Sequence, residues 1–360
     1  MKVCIIGDSL TSFALAKALA NREIFVDIFF KKKNTIIDET RTIGISKSNI
    51  DYFNKNITNI NKLLWKIKKI KIYSENSKED TIIKFKNQND PLFSIFKNAK
   101  LMTQLISELK RNKFVDFKNN TYNKDPLSSE YDLLINCDLR HKLTKKYFSK
   151  KFEKKYESTA FTTIINHKKI LLNDTAVQIF TNKGPMAFLP ISSEKTSIVF
   201  SVRLKNDKNY LDIKKMINKF NIFYKIRKIN KISKFNLSSL NLREYYKDNI
   251  LAFGDLLHKI HPLAGQGFNM SVRDIKVLLE IIDCKINLGL PIDKNVCAEF
   301  QNKTKSKNFV FSKGVDLIYE LFNSENKIRN NLIDKTVKLI GKNKLLNKYF
   351  KRIADEGLQT

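Results

Sequence analysis

The chain of 360 residues contains few cysteines, few glycines and prolines, and no long apolar run. Its four cysteines form no CxxC pair and show no metal-ligand spacing, so the sequence predicts neither a disulfide framework nor a metal site. The scattered thiols and the lack of a signal peptide favour a cytoplasmic protein. No stretch approaches 18 consecutive apolar residues, so we expect no membrane-spanning helix.

Acidic residues are also scarce. The chain has 36 Asp and Glu against 67 Lys and Arg, and its formal net charge is +31. A strongly basic protein suits nucleic acid or an anionic membrane surface. The lysines are spread along the chain, and the sequence contains no recognisable nucleic-acid-binding motif. We therefore expect no nucleic-acid partner. Biased composition is the simpler explanation of the charge, and peripheral contact with the inner face of the cytoplasmic membrane is compatible with it.

One stretch, residues 248–274, concentrates the chemistry: DNILAFGDLLHKIHPLAGQGFNMSVRD. The apolar run at 250–253 predicts a buried strand, and Asp255 places a carboxylate where that strand stops, a common position for ligand contact. Glycines in the run 265–267 let the backbone approach a ligand closely. Apolar residues at helical spacing then predict a helix from Phe268 onward, whose free N–H groups suit an anion or an electron-rich carbonyl.

The pattern GD-x-x-H-x-x-HP-x-AGQG-x-N in this stretch resembles the signature of the FAD-dependent aromatic hydroxylases, and specifically the branch that acts on ubiquinone precursors. The resemblance implies that Asp255 contacts the ribityl chain and that Pro262 lies beside the isoalloxazine ring. The turn that would bind the flavin ring comprises Ala264, Gly265, Gln266, Gly267, Phe268 and Asn269. The alternative is a glycine-rich strand–loop–helix crossover without a ligand.

The first thirty residues predict a strand–helix–strand unit of the kind that binds dinucleotides. Gly7 keeps the first place of the G-x-G-x-x-G turn, but Ser9 and Ser12 take the other two and restrict how near a pyrophosphate can come. The acidic residue expected at the end of the second strand, near Phe30, is missing. Gly7, Ser9 and Leu10 are candidate contacts for the adenine end of FAD, and a generic βαβ unit is the alternative.

Four further segments resemble the same family. R-T-I-G-I-S begins at Arg41, whose counterpart approaches the cofactor, although an ordinary surface cation fits equally well. Asn98 opens a predicted helix whose start touches the cofactor in the family. A predicted strand ends in Asp138, where the family has D-G; here Leu139 replaces the glycine, and Asp138 is equally well interpreted as a strand-end cap. GPMAFLP at 184–190 resembles the strand that covers the substrate, and a plain core strand is the alternative.

The resemblance predicts an α/β fold in which a Rossmann-like FAD-binding domain is interleaved with a β-sheet substrate domain and the C-terminus is helical. The expected boundaries are 1–60, 96–155 and 245–290 for the FAD-binding domain, 61–95 and 156–244 for the substrate domain, and 291–360 for the helical region.

The same resemblance implies an FAD-dependent monooxygenase that hydroxylates a polyprenylated phenol in ubiquinone biosynthesis with NAD(P)H and O2. The flavin would do the chemistry, and the sequence identifies no catalytic side chain. The alternative is a degenerate, non-catalytic family member that acts as a scaffold in a quinone-biosynthesis complex. The serines at positions 9 and 12 and the leucine at position 139 motivate it.

Overall fold

The computed structural model describes residues 1–30, 39–75, 83–86, 90–118, 130–203, 212–261 and 265–325. The strands are β1 (Lys2–Ile6), β2 (Phe25–Phe29), β3 (Thr42–Ile45), β4 (Trp65–Ile67), β5 (Lys69–Ser74), β6 (Ile83–Lys86), β7 (Phe93–Lys97), β8 (Val115–Phe117), β9 (Leu133–Asn136), β10 (Lys151–His167), β11 (Thr175–Thr181), β12 (Gly184–Pro190), β13 (Lys195–Arg203), β14 (Ile226–Ile229), β15 (Ser233–Leu242), β16 (Tyr246–Lys247), β17 (Ile250–Ala252) and β18 (His258–Lys259). The helices are α1 (Leu10–Ala20), α2 (Lys47–Asn56), α3 (Asn98–Lys110), α4 (Lys142–Tyr147), α5 (Ile213–Phe220), α6 (Gln266–Asn287) and α7 (Lys294–Glu325).

The first sheet is mainly parallel, in the order β16-β17-β9-β1-β2-β8. Its central strands are short apolar runs, as expected of parallel strands that are covered on both faces. α1 is almost wholly buried and packs in the same core as α3 and α6. The carboxyl ends of β1, β9 and β17 therefore lie side by side at one edge of this sheet, where ligands bind in folds of this kind.

The second sheet is largely antiparallel and contains β18-β15-β10-β13-β12-β11-β5-β6, with β14 beside β10. α5 packs its apolar side on one face of it. The remaining strands, β3, β7 and β4, form a small third sheet. Within the segment 61–95, β5 and β6 pair into the second sheet, and β4 pairs with β7 in the third sheet.

Residues 40–42 connect the third sheet to the second. The hydroxyls of Thr40 and Thr162 lie 3.1 Å apart, and Thr42 Oγ1 donates to Ser197 Oγ at 2.8 Å. The predicted mixed α/β fold class is confirmed by this arrangement, and the domain boundaries remain a prediction. Within the described ranges, no helix is both long enough and apolar enough to span a bilayer.

Candidate functional site

The end of β17 packs directly on the start of α1. Gly254 has φ +64°, and a Cβ at this position would lie 3.1 Å from Thr11 Cγ2, so a glycine suits both the backbone conformation and the close contact. Asp255 follows in an exposed position, and its carboxylate forms no hydrogen bond with the residues that the structure describes. The carboxylate predicted to contact the ribityl chain is therefore free to bind a ligand at the carboxyl edge of the first sheet.

The β1–α1 turn is held by contacts within the protein. Gly7 has φ +129° and donates its N–H to the carbonyl of Phe29 at 2.8 Å, and a Cβ here would lie 3.3 Å from Cys137 Cβ. Ser9 caps α1 by accepting from the Ser12 N–H at 3.1 Å, and the two serine hydroxyls lie 2.7 Å apart. The serines that replace the motif glycines thus bond to each other and occupy the cap.

Leu10, the third candidate at this turn, is buried in the main core. Any contact of Leu10 with a ligand therefore has to come from its backbone N–H, since the side chain faces inward. The backbone amides of the first turn of α1, together with the helix dipole, remain suited to a phosphate.

Asp138 caps the turn after β9. Its Oδ1 accepts from the Arg140 N–H at 2.7 Å, and its backbone carbonyl accepts from Thr144 Oγ1 at 2.6 Å. This is the strand-end role that the sequence left as one of two interpretations. The neighbouring Cys137 is buried, and burial, reinforced by the carboxylate of Asp255, raises the pKa of its thiol to about 12, so the thiol stays protonated.

The start of α6 lies against β3. Gly265 adopts the left-handed conformation, with φ +66°, and a Cβ there would lie 3.1 Å from the backbone N of Gly44. Because Gly265 makes the turn, the helix begins at Gln266, two residues before the predicted start at Phe268. The R-T-I-G-I-S segment and the AGQG turn, more than 200 residues apart in sequence, therefore touch through their backbones.

Asn269 fastens these two segments together. Its side chain is buried; Nδ2 donates to the carbonyl of Gly44 at 3.0 Å, and Oδ1 accepts from the N–H of Ser46 and from Asn49 Nδ2, both at 2.9 Å. Phe268 packs between the rings of Phe53 and Phe96. The side chains of Asn269 and Phe268, predicted to lie in the flavin-binding turn, are thus used to hold the turn in place.

Gln266 and Gly267 are the open positions of this turn. Gln266 Oε1 is buried, yet it has no hydrogen-bond partner among the residues that the structure describes. A Cβ on Gly267 would meet no atom within 4 Å. A buried amide oxygen without a donor, beside an open surface and free helix N–H groups, fits the pyrimidine edge of an isoalloxazine ring, which offers both N–H and C=O. Pro262 and Ala264 lie outside the described residues.

Arg41 and Asn98 meet where β3 and α3 begin. The carbonyl of Arg41 accepts from the N–H of Asn98 at 3.0 Å, while the Arg41 side chain is exposed. The pKa of the adjacent Lys97 is lowered, mainly by burial and then by the charges of Lys195 and Lys100, with Glu39 acting in the opposite direction. This crowding of cations beside a helix start favours an anion such as a cofactor phosphate.

The second sheet presents a half-buried floor towards this region. Thr162, Val199, Ala187 and Gln178 lie in register across four strands, and Thr162 contacts Thr40. Gly184 begins the β12 strand of this floor with φ +133°, and a Cβ there would lie 2.0 Å from the carbonyl oxygen of Ser201. The residues at 187 and 199 are small and apolar, and a substrate-covering role for GPMAFLP stays a prediction.

A buried polar network in the same motif was not assigned from the sequence. His258 Nε2 contacts Asp274 Oδ2, and Asp274 Oδ1 accepts from Asn308 Nδ2 at 2.9 Å, which ties β18, α6 and α7 together. No local sequence signal indicated this pairing, because the two residues lie 16 positions apart. His261 is also buried, with its ring edge-on to Tyr156 at 5.1 Å, and burial lowers its pKa to about 3. Its imidazole is therefore neutral.

Three comparisons with known proteins agree with this geometry. Residues 130–287 match the family model described as FAD binding domain. The chain superposes on the p-nitrophenol 4-monooxygenase PnpA of Pseudomonas putida with a TM-score of 0.76 at 11% identity, covering 97% of both chains. It superposes on HpxO of Klebsiella pneumoniae, solved with FAD and uric acid, with a TM-score of 0.76 at 11% identity, covering 99% of this chain and 97% of that one.

The fold is therefore that seen in FAD-dependent monooxygenases, and residues 130–287 match the model of an FAD binding domain. Among curated relatives, the chain is 28% identical over 159 residues to 3-demethoxyubiquinol 3-hydroxylase of Escherichia coli, covering 42% of this chain and 40% of that enzyme. It is 25% identical over 178 residues to the ubiquinone hydroxylase UbiL of Rhodospirillum rubrum, covering 47% and 41%. These matches confirm the predicted resemblance to the ubiquinone branch of the FAD-dependent aromatic hydroxylases, although they span less than half the length of the relatives.

Proposed function

We propose that this protein is an FAD-dependent monooxygenase that hydroxylates the aromatic ring of a polyprenylated phenol in ubiquinone biosynthesis. The observation that carries the proposal is the opening at the start of α6, where Gln266 Oε1 has no donor within the described residues and Gly267 faces empty space. The exposed carboxylate of Asp255, which has no hydrogen-bond partner among the described residues, lies at the neighbouring strand end. Hydroxylation as the reaction and the quinone precursor as the substrate come from the named relatives.

Bound FAD supplies the redox chemistry, in which NAD(P)H is the electron donor and O2 the oxidant. The residues of the chain bind and orient. Asp255 would hold the hydroxyl groups of the ribityl chain, and Gln266 would accept a hydrogen bond from the ring edge. Arg41, with Lys97 behind it, would neutralise phosphate charge. The floor at Ala187 and Val199 would hold the substrate ring and exclude water from it.

The proposed partners are the prenylated phenol, O2 and NAD(P)H, together with peripheral contact at the cytoplasmic membrane and membership of a quinone-biosynthesis complex. A polyprenyl tail partitions into lipid, so an enzyme that takes such a substrate gains from lying against a bilayer. The net charge of +31 favours an anionic surface.

The test is the absorbance spectrum of the purified protein, before and after incubation with FAD and gel filtration. We expect retained flavin bands, and oxidation of NAD(P)H that depends on a short-chain prenylphenol. Asp255→Ala should weaken FAD binding without affecting stability, because the carboxylate has no partner among the described residues. Asp51→Ala, at an exposed carboxylate on α2 that likewise forms no hydrogen bond with the described residues, is the matched control.

The alternative of a non-catalytic scaffold is not favoured by the named relatives, which are hydroxylases. It predicts a colourless protein that takes up no FAD. It also predicts that Asp255→Ala leaves ubiquinone formation in cells unchanged, whereas the monooxygenase proposal predicts that this variant blocks it.

A further inference from the structure

Two leucines at the tip of the β10–β11 turn are almost fully exposed. Leu171 and Leu172 expose 86% and 79% of their surface. The turn itself is well anchored, since Asn173 is buried at its base and donates to the carbonyl of Ser192 at 2.7 Å, while Trp65 Nε1 donates to the carbonyl of Asn173 at 2.7 Å. The leucines are thus presented to solvent by a fixed turn.

A third exposed apolar residue lies in the turn beside it. Ile222, between α5 and β14, exposes 65% of its surface. The two turns are joined by the bond from the N–H of Lys168 to the carbonyl of Lys225, at 3.0 Å. A cavity of about 200 Å³ opens between them and the edge of the sheet, lined by Lys71, Ile170, Leu172, Asn173, Thr175, Val177, Phe223 and Tyr224. Leu171, Leu172 and Ile222 form an exposed apolar surface beside this cavity, here called the Leu171 tip.

The surroundings of the Leu171 tip are basic. Lys168, Lys169 and Lys225 flank the apolar residues, and none of the three ammonium groups pairs with a carboxylate in the part of the chain that the structure describes. The outward side of α5 adds the exposed Lys214 and Lys215.

Carboxylates near the Leu171 tip are few. Asp174 is mostly buried and lies 3.7 Å from Lys69. The turn before β13 contributes one exposed carboxylate, Glu194. Unpaired cations therefore outnumber exposed acids around the tip.

We propose that the Leu171 tip is the surface through which this protein docks on an anionic lipid bilayer, with Leu171, Leu172 and Ile222 inserted among the acyl chains and the lysines on the lipid phosphates. Exposed apolar side chains on a rigid turn, ringed by unpaired cations, match the two contributions that hold peripheral proteins on such membranes. The inference rests on the proposed function only for why this protein would bind a membrane. The exposed leucines and the unpaired lysines of the described residues identify the surface.

The experiment is co-sedimentation of the full chain, purified with FAD, with sucrose-loaded vesicles of phosphatidylcholine alone or with about 30% of the anionic lipid phosphatidylglycerol. We expect binding to the anionic vesicles that decreases with salt. Leu171→Ser with Leu172→Ser should lower the partition coefficient about tenfold or more, because each buried leucine contributes more than 1 kcal/mol. Lys168→Glu with Lys169→Glu should have a similar effect.

The matched control is Leu288→Ser with Leu290→Ser, the same change at two exposed leucines in the turn after α6, which should bind as the parent does. Equal partition of the parent and the Leu171/Leu172 variant, or no binding of the parent to anionic vesicles, would overturn the proposal. Equal binding to pure phosphatidylcholine would overturn the assignment of anionic lipid. A dimer that the leucine changes convert to a monomer would assign the tip to a second copy instead.

Failure of the proposed function is seen separately. The Leu171 tip belongs to the second sheet, whereas Asp255 follows a strand of the first sheet and Gln266 begins α6, so the tip variants should retain flavin absorbance and turn over a short-chain analogue as the parent does. A parent that binds anionic vesicles but no FAD would leave the docking surface standing while refuting the monooxygenase.

Discussion

Two glycines two residues apart at the start of α6 should respond in opposite ways to the same substitution. Gly265 adopts φ +66°, and an added Cβ would lie 3.1 Å from the backbone of Gly44. Alanine in this conformation costs about 1–2 kcal/mol, and more if Gly44 has to move. Gly265→Ala should therefore lower the free energy of unfolding by at least that amount, with or without cofactor.

Gly267→Ala should leave the free energy of unfolding unchanged or raise it. Gly267 lies within the first turn of α6, and a Cβ would meet no atom within 4 Å. Alanine in a helix is favoured over glycine by up to about 1 kcal/mol. If the flavin ring occupies the open space, the added methyl group costs about 1–3 kcal/mol of binding, which raises the Kd of FAD roughly 5- to 150-fold.

The assay pairs urea unfolding of the FAD-free protein with titration of FAD by quenching of flavin fluorescence. The expected result is a less stable Gly265→Ala variant and a Gly267→Ala variant that is at least as stable as the parent but binds FAD weakly. A Gly267→Ala protein with the parent's Kd would refute the placement of the flavin ring against this turn. A stable Gly265→Ala protein would refute the constraint assigned to Gly44.

Three other outcomes are expected. Asn269→Ala should lower the free energy of unfolding by about 2–4 kcal/mol, because it leaves the carbonyl of Gly44 and the amide of Asn49 unpaired, and urea unfolding measures this. Burial lowers the pKa of His261 from 6.5 to about 3. The stability contributed by the neutral imidazole is therefore fully present above pH 6.5 and is lost as the pH falls towards 3. Between pH 6.5 and 5, the free energy of unfolding of His261→Phe should fall by about 2 kcal/mol less than that of the parent, as unfolding titrations would measure. Gly184→Ala should cost about 3 kcal/mol or more, seen as a lower thermal unfolding midpoint.

The strands and helices around the motifs were predictable because their signals are local. The apolar runs before Asp138 and Asp255 form β9 and β17, and helical spacing predicts α3 nearly to its ends. The start of α6 was misplaced by two residues because the sequence does not reveal which glycine of Gly265 and Gly267 takes the left-handed turn. That choice is made by packing on Gly44, a contact across more than 200 residues.

The site was predictable as a neighbourhood but not residue by residue. The motif indicates that residues 264–269 lie together, and the structure places Gly265 to Asn269 in one helix start. The motif does not indicate that the side-chain amide of Asn269 forms hydrogen bonds with both β3 and α2, because these bonds depend on tertiary packing. The pairing of His258 with Asp274 was hidden for the same reason. The spacing of residues in the motif predicts which residues lie close together, whereas the hydrogen-bond partner of each side chain depends on tertiary packing.

Some residues of the motif hold the fold together and others are open to a ligand, and this difference matters when the sequences of distant homologues are compared. Gly254, Gly265, Asn269, His258 and Asp274 are all engaged in holding the chain together, so a protein that has lost its cofactor would still need them in order to fold. A sequence that retains the signature at these five positions is therefore evidence of ancestry and architecture, not of enzymatic competence. The residues that indicate cofactor binding are Asp255, Gln266 and Gly267. No protein contact within the described residues requires them, so a homologue that has lost FAD binding would be free to change them.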